Sequence, residues 1–274
     1  MVAIMKKHIL LAVAAAAVLV LVWVAVKQWL ALREVRQELR HMFFAAIRPV
    51  RLSNCTLERF GSPHDGGYLL CSNLLDQVKS AYSYGISGDD NWGCDVAKRY
   101  QIPVHQYDCF DLRRPGCPGG LANFHEECVG GTAERDGKRV YDSVASQVLR
   151  NGDEGKHLVV KMDVEGAELD ALQAIPESLL QRIDQLVVEF HSIDKPQDIR
   201  LLDKLDKVFH VAYVHANNYA CRWGEPPFSS GANEILFVNR RLGVVEGATS
   251  APVQQNPLAA SNYPKLPECQ PRWP

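Results

Sequence analysis

Three carboxylates fall within six residues around a glycine, in Asp163-Val164-Glu165-Gly166-Ala167-Glu168. They follow His157-Leu158-Val159-Val160-Lys161-Met162, an apolar run that reads as a buried strand. Ligands of open α/β sheets sit beyond strand C-termini. Carboxylates placed there can anchor a cationic cofactor, take a proton from a substrate hydroxyl or hold a divalent metal, and the residues do not choose among these. Acids favour helix N-termini, so capping accounts for one of the three.

Leu186-Val187-Val188-Glu189-Phe190-His191 repeats the theme. Glu189 lies inside an apolar run, where a carboxylate must be paired or neutral. His191 closes the run and titrates near neutral pH, which makes it either a general base or a hydrogen-bonded surface residue. His215-Ala216-Asn217-Asn218-Tyr219 ends another apolar run with polar side chains. His215, Asn217 and Asn218 are candidates to hold a substrate, although turn chemistry also selects Asn-Asn. Near the first strand of the domain, Tyr84-Gly85-Ile86-Ser87-Gly88-Asp89-Asp90 supplies Gly85 and Gly88, which let backbone approach a ligand. Asp108 ends the next strand, about twenty residues on, the offset at which nucleotide folds place an acid for ribose hydroxyls.

These residues need a scaffold of strands. Short apolar runs at Ser80–Tyr84, Val104–Asp108, Asn123–Cys128, Leu158–Asp163, Gln185–Phe190, Val208–Val214 and Glu234–Val238 alternate with helical patterns. The helices are expected at Trp92–Tyr100, Ser143–Leu149, Leu169–Ala174 and Asp198–Lys207. Such alternation predicts an α/β domain with a mostly parallel seven-stranded sheet and flanking helices. No internal repeat interrupts it.

The N-terminus is of another kind. After a short basic tail (1–8), residues 9–26 carry no charged or polar side chain, enough to cross a bilayer as a helix. The run exceeds a usual signal-peptide core and lacks a small-x-small cleavage site, so it reads as an uncleaved single-pass anchor. Residues 27–47 read as an amphipathic juxtamembrane helix, 48–245 as the folded domain and 246–274 as a Pro-rich tail that is disordered or lies along the surface. Positive-inside counting favours a cytoplasmic domain and the short N-terminal tail favours the opposite, so the side of the membrane stays open. Eight cysteines are an even count that also leaves the compartment open. No Cys-x-x-Cys pair occurs, and no metal ligands are assigned. A formal charge of −2 gives no basic field for nucleic acid.

Taken in order, the set resembles the FkbM-type S-adenosylmethionine-dependent methyltransferases and their membrane-anchored methyltransferase-like relatives. Lys161-Met162-Asp163-Val164-Glu165-Gly166-Ala167-Glu168 is close to that family's Lys-Ile-Asp-Val-Glu-Gly-Ala-Glu signature. Asp65-Gly66-Gly67-Tyr68, the Gly85 loop, Asp108, Val188-Glu189-Phe190-His191 and His215-Ala216-Asn217-Asn218-Tyr219 support it, and the resemblance covers roughly residues 55–239. It implies a Rossmann-like class I methyltransferase fold binding S-adenosyl-L-methionine, with Gly85, Gly88 and Asp108 on the cofactor and Asp163 and Glu165 facing the methyl donor. The first loop reads Gly-Ile-Ser-Gly where many methyltransferases have a fuller Gly-x-Gly-x-Gly. The expected reaction is O-methylation of a small metabolite, glycan or lipid-linked acceptor, with Asp163, Glu165 or His191 assisting deprotonation. A nicotinamide-dependent short-chain oxidoreductase lacks its Tyr-x-x-x-Lys here, and a glycosyltransferase its Asp-x-Asp. The rival from another class is an inactive, membrane-tethered binding or scaffold module, which need not bind the cofactor.

Overall fold

The computed structural model describes residues 2–191, 196–221, 230–247, 258 and 260–269. Helix α1 (Val2–Ala46) leads into a hairpin of β1 (Leu57–Gly61) and β2 (Gly67–Cys71), followed by β3 (Val78–Tyr84), α2 (Asn91–Tyr100), β4 (Pro103–Tyr107) and β5 (Leu121–His125). A small sheet of β6 (Cys128–Val129), β7 (Glu134–Asp136) and β8 (Arg139–Asp142) precedes α3 (Val144–Arg150) and β9 (His157–Met162). Then come α4 (Glu168–Ala174), α5 (Glu177–Leu180), β10 (Ile183–His191), α6 (Pro196–Asp206), β11 (Phe209–Ala216) and β12 (Ala232–Asn239).

Seven strands form the central sheet in the order β11-β12-β10-β9-β3-β4-β5. Pairing is parallel from β10 through β5, while β12 runs antiparallel to both β10 and β11. The chain enters at the central β3, winds outward to β5 and returns to β9 on the other side. That reversal makes a crevice beyond the carboxyl ends of β3 and β9, where open α/β sheets bind ligands. The expected α/β class, sheet and helix order are therefore found. One expected strand is corrected: the run at 123–128 ends at His125, and Cys128 pairs instead with Tyr141 in the small sheet.

Alternation with period two sorts the central side chains onto two faces. Leu158, Val160 and Met162 of β9 join Leu186, Val188 and Phe190 of β10 and Ile235 and Phe237 of β12 in an apolar core under α3, α4, α5 and α6. The other face carries Val159, Val187, Leu236 and Val238, packed against the hairpin and against Trp92 and Val96 of α2. By the same alternation, buried Lys161, Gln185, Glu189 and Glu234 fall on this second face.

Helix α1 is unbroken from Val2 to Ala46, so the segments 9–26 and 27–47 are one helix. Leu19 (69% exposed) and Trp23 (63%) have no protein cover, whereas Phe43 and Ile47 are fully buried, with Phe43 edge-on to Phe190 at 6.4 Å. The domain core thus begins inside 27–47, because the apolar face of that stretch has α6 and β10 to pack on. By length and composition, Val13–Phe43 can cross a membrane.

All eight cysteines pair, as Cys55–Cys71, Cys94–Cys117, Cys109–Cys128 and Cys221–Cys269. The last of these ties the C-terminal segment to the end of β11. Within the described part of that segment Asn262 is buried, its amide donating to Glu234 (2.6 Å) and Asp65 (3.1 Å).

Candidate active site

The carboxyl ends of β3, β4 and β9 open onto a cavity of about 530 Å³. Tyr107, Val129, Tyr141 and the Cys109–Cys128 disulfide contribute apolar wall, while Asp163 and Glu165 contribute carboxylates. Gly85 lines it at φ +73, and a Cβ there would lie 1.6 Å from the Asp163 carbonyl oxygen, so the join of β3 to β9 admits only glycine. Gly88 is different: it lies outside the cavity lining, packed against the side chains of Arg113 and Asp111.

Asp108 lines the cavity, but its carboxylate is fully engaged. One oxygen accepts from the Ile86 and Ser87 N–H groups (3.0 and 2.8 Å), the other from those of Phe110 and Asp111 (2.8 and 3.0 Å). A carboxylate has about four lone-pair sites, so Asp108 ties two loops together and offers no free acceptor to ribose hydroxyls.

Asp163, Glu165 and His191 lie close together. One Asp163 oxygen accepts from the Tyr68 hydroxyl (2.8 Å) and lies 3.7 Å from the Lys161 ammonium, which donates to Gly85 O (2.6 Å). Glu165 holds a left-handed φ of 54° and is 87% exposed. His191 donates from Nδ1 to Glu168 (3.0 Å), a fully buried carboxylate that also accepts from the Val164 and Gly166 N–H groups. Glu168 thus ties down the loop that precedes α4. His191 Nε2 lies 3.5 Å from Glu165, 3.8 Å from Glu189 and 4.0 Å from Asp163.

Burial works to lower the His191 pKa, but the Glu168 hydrogen bond and the surrounding carboxylates outweigh it and push it up to about 9. At neutral pH the ring is an imidazolium and takes no further proton, which removes it as the base of the cation-free chain. Burial, then Asp163, holds Glu189 well above the carboxylate range. Burial likewise raises Glu234 to about 7, against the Asn262 hydrogen bond and the Arg59 charge.

The three expected substrate residues are occupied within the chain. His215 Nε2 meets Asn262 Oδ1 (3.0 Å), Asn217 donates to Glu189 (2.8 Å), and Asn218 donates to the Tyr263 and Leu266 carbonyls (2.9 and 3.0 Å). The C-terminal segment covers His215 and Asn218, a contact over more than forty residues of chain that no local pattern announces. Tyr68, Lys161 and Glu168 are site residues that residue-by-residue reasoning left without a role. All three lie in the motifs that carry the resemblance.

No family model matches the chain, and no curated protein matches it. Among solved structures it is similar to a predicted O-methyltransferase from Agrobacterium tumefaciens, at 16% identity over 60% of this chain and 76% of that one, with a TM-score of 0.35. It is also similar to a chain of the fibrillarin/Nop5p complex, at 11% identity over 70% of this chain and 98% of that one, with a TM-score of 0.34. Both scores are low, so the fold assignment rests on the strand order and directions given above.

Proposed function

We propose that the chain is a membrane-anchored, S-adenosyl-L-methionine-dependent O-methyltransferase. The observation that carries the reading is the cavity at the strand-order reversal, with Gly85 admitting no side chain and two carboxylates of the signature motif on its wall. Its size and apolar walls suit an adenosyl group. Asp163 and Glu165 suit the cationic end, and Tyr107, Val129 and Tyr141 suit the ring system. When bound, the cofactor supplies an electrophilic methyl group on a sulfonium. The chain's own work is to hold an acceptor hydroxyl in line with it and to receive the proton. Asp163, fixed by Tyr68, and Glu165 are the acceptors for that proton, and His191 steadies them.

The anchor is the exposed apolar stretch of α1. Four cystines support a domain on the oxidising side of the membrane, the orientation that the short N-terminal tail favours. There the cofactor has to be delivered across the membrane.

The test is calorimetric titration of the full chain in detergent with S-adenosylhomocysteine, beside Ala167→Phe, which fills the cavity from its wall. Saturable binding that the substitution abolishes supports the enzyme. A folded chain that binds neither S-adenosylhomocysteine nor S-adenosylmethionine is instead a tethered scaffold, a reading that the saturated Asp108 carboxylate favours.

A further inference from the structure

Asp163, Glu165 and His191 each direct one ligand atom into a common volume, with all three atoms within 4.8 Å of one another. Bonds of about 2.0–2.2 Å to a shared metal put neighbouring ligands about 3.0–3.6 Å apart. The His191–Glu165 separation of 3.5 Å is already in that range and the His191–Asp163 separation of 4.0 Å is close to it. Small side-chain rotations bring the set together, and Glu165 is exposed and free to make them.

Two further observations point to a cation. His191 is oriented from behind: Nδ1 is held by Glu168, a carboxylate outside the trio and fully buried, which turns Nε2 toward Asp163 and Glu165. This carboxylate–histidine arrangement is the one that orients imidazole toward metals. The local charge is also unbalanced, since the carboxylates of Asp163, Glu165 and Glu168 are met within ion-pair distance only by Lys161 and the His191 ring, among the described residues. Partly buried carboxylates in excess attract a compact, multiply charged cation.

We propose that Asp163, Glu165 and His191 form a divalent-cation site beside the cavity, with Glu168 as the residue that positions His191. One nitrogen and two carboxylates suit ions such as Mn²⁺, which carboxylates favour, or Zn²⁺, which imidazole favours. An acceptor hydroxyl reaching the cation is polarised and loses its proton more easily. That consequence rests on the methyltransferase reading; the cation site does not.

The experiment is titration of the full chain in detergent with Mn²⁺ alone, followed by electron paramagnetic resonance. One saturable Mn²⁺ per chain is expected. Glu165→Gln, an exposed change that leaves the core intact, should weaken binding at least tenfold, and Glu168→Gln by about 10–100-fold. Absence of saturable binding by the folded chain overturns the proposal, and so does Glu165→Gln binding Mn²⁺ as tightly as the unaltered chain. Saturable Mn²⁺ binding with those losses supports it even where S-adenosylhomocysteine fails to bind, which separates its fate from that of the enzyme reading.

Discussion

The two faces of the central sheet are held by different forces. Under α4 to α6 the contacts around β10 and β12 are apolar, with Phe237 between the rings of Phe190 and Phe209 at 6.3 and 6.2 Å. Across the sheet, the hairpin, α2 and the C-terminal segment cover a layer containing Lys161, Gln185, Glu189 and Glu234. Cys55–Cys71, Cys94–Cys117 and Cys221–Cys269 staple that cover, whereas no helix from α3 to α6 contains a cysteine. The face that buries these four side chains is thus covered by covalently linked elements. Adjacent residues of one strand live in these two regimes, because alternation sends Lys161 one way and Met162 the other.

Full reduction is the strongest way to break the comparison. Each disulfide is worth about 2–4 kcal/mol, so limited proteolysis in reductant should cut first in residues 55–71 and 258–269 and only later in α3 to α6. Early cleavage in the helices would show that the faces unfold as one. Next in size, Phe237→Ala should cost about 3–5 kcal/mol in urea unfolding. A sharper contrast lies within β9. Lys161→Met removes the cation beside Asp163 and should cost about 3 kcal/mol, whereas Met162→Leu keeps volume and should cost less than about 1.5 kcal/mol.

The smallest effect is on pH dependence, where the faces pull in opposite directions. On the helix face burial, then His105, pushes His125 down to about 4, and burial lowers His105 as well. Their neutral forms are favoured by folding, so this contribution is complete above about 6.5 and is lost as pH falls toward 4. On the other face Glu234 is raised to about 7. The folded state binds its proton more tightly, so that contribution is complete below about 4.5 and is lost as pH rises through 7. Thermal unfolding at pH 4.5 and 7 should show His125→Gln and Glu234→Gln changing the pH slope with opposite signs, each by about 2–4 °C.

Much of the scaffold was legible because it is local. The runs at β3, β9, β10 and β12 are apolar enough to be strands, and the helices between them keep their own period. The carboxylates after β9 and His191 at the end of β10 followed from strand ends alone, since parallel neighbours in one sheet bring such ends together. The hairpin escaped notice because Glu58 and Arg59 interrupt its apolar pattern, and the run at 123–128 misled because two glutamates separate strands of different sheets.

Composition and periodicity by themselves determined an apolar N-terminal helix, a layered α/β domain and a carboxylate-rich crevice, since each depends on residues within a turn or a strand of one another. Only the tertiary structure decided which cysteines pair, that Asp108 binds loop backbone, that His215 and Asn218 hold the C-terminal segment, and that His191 is ringed by carboxylates. Those outcomes depend on groups brought within 3 to 4 Å across tens of residues, and on the loss of water around them. Burial and electrostatic energy act through that distance, of which separation along the chain carries no record.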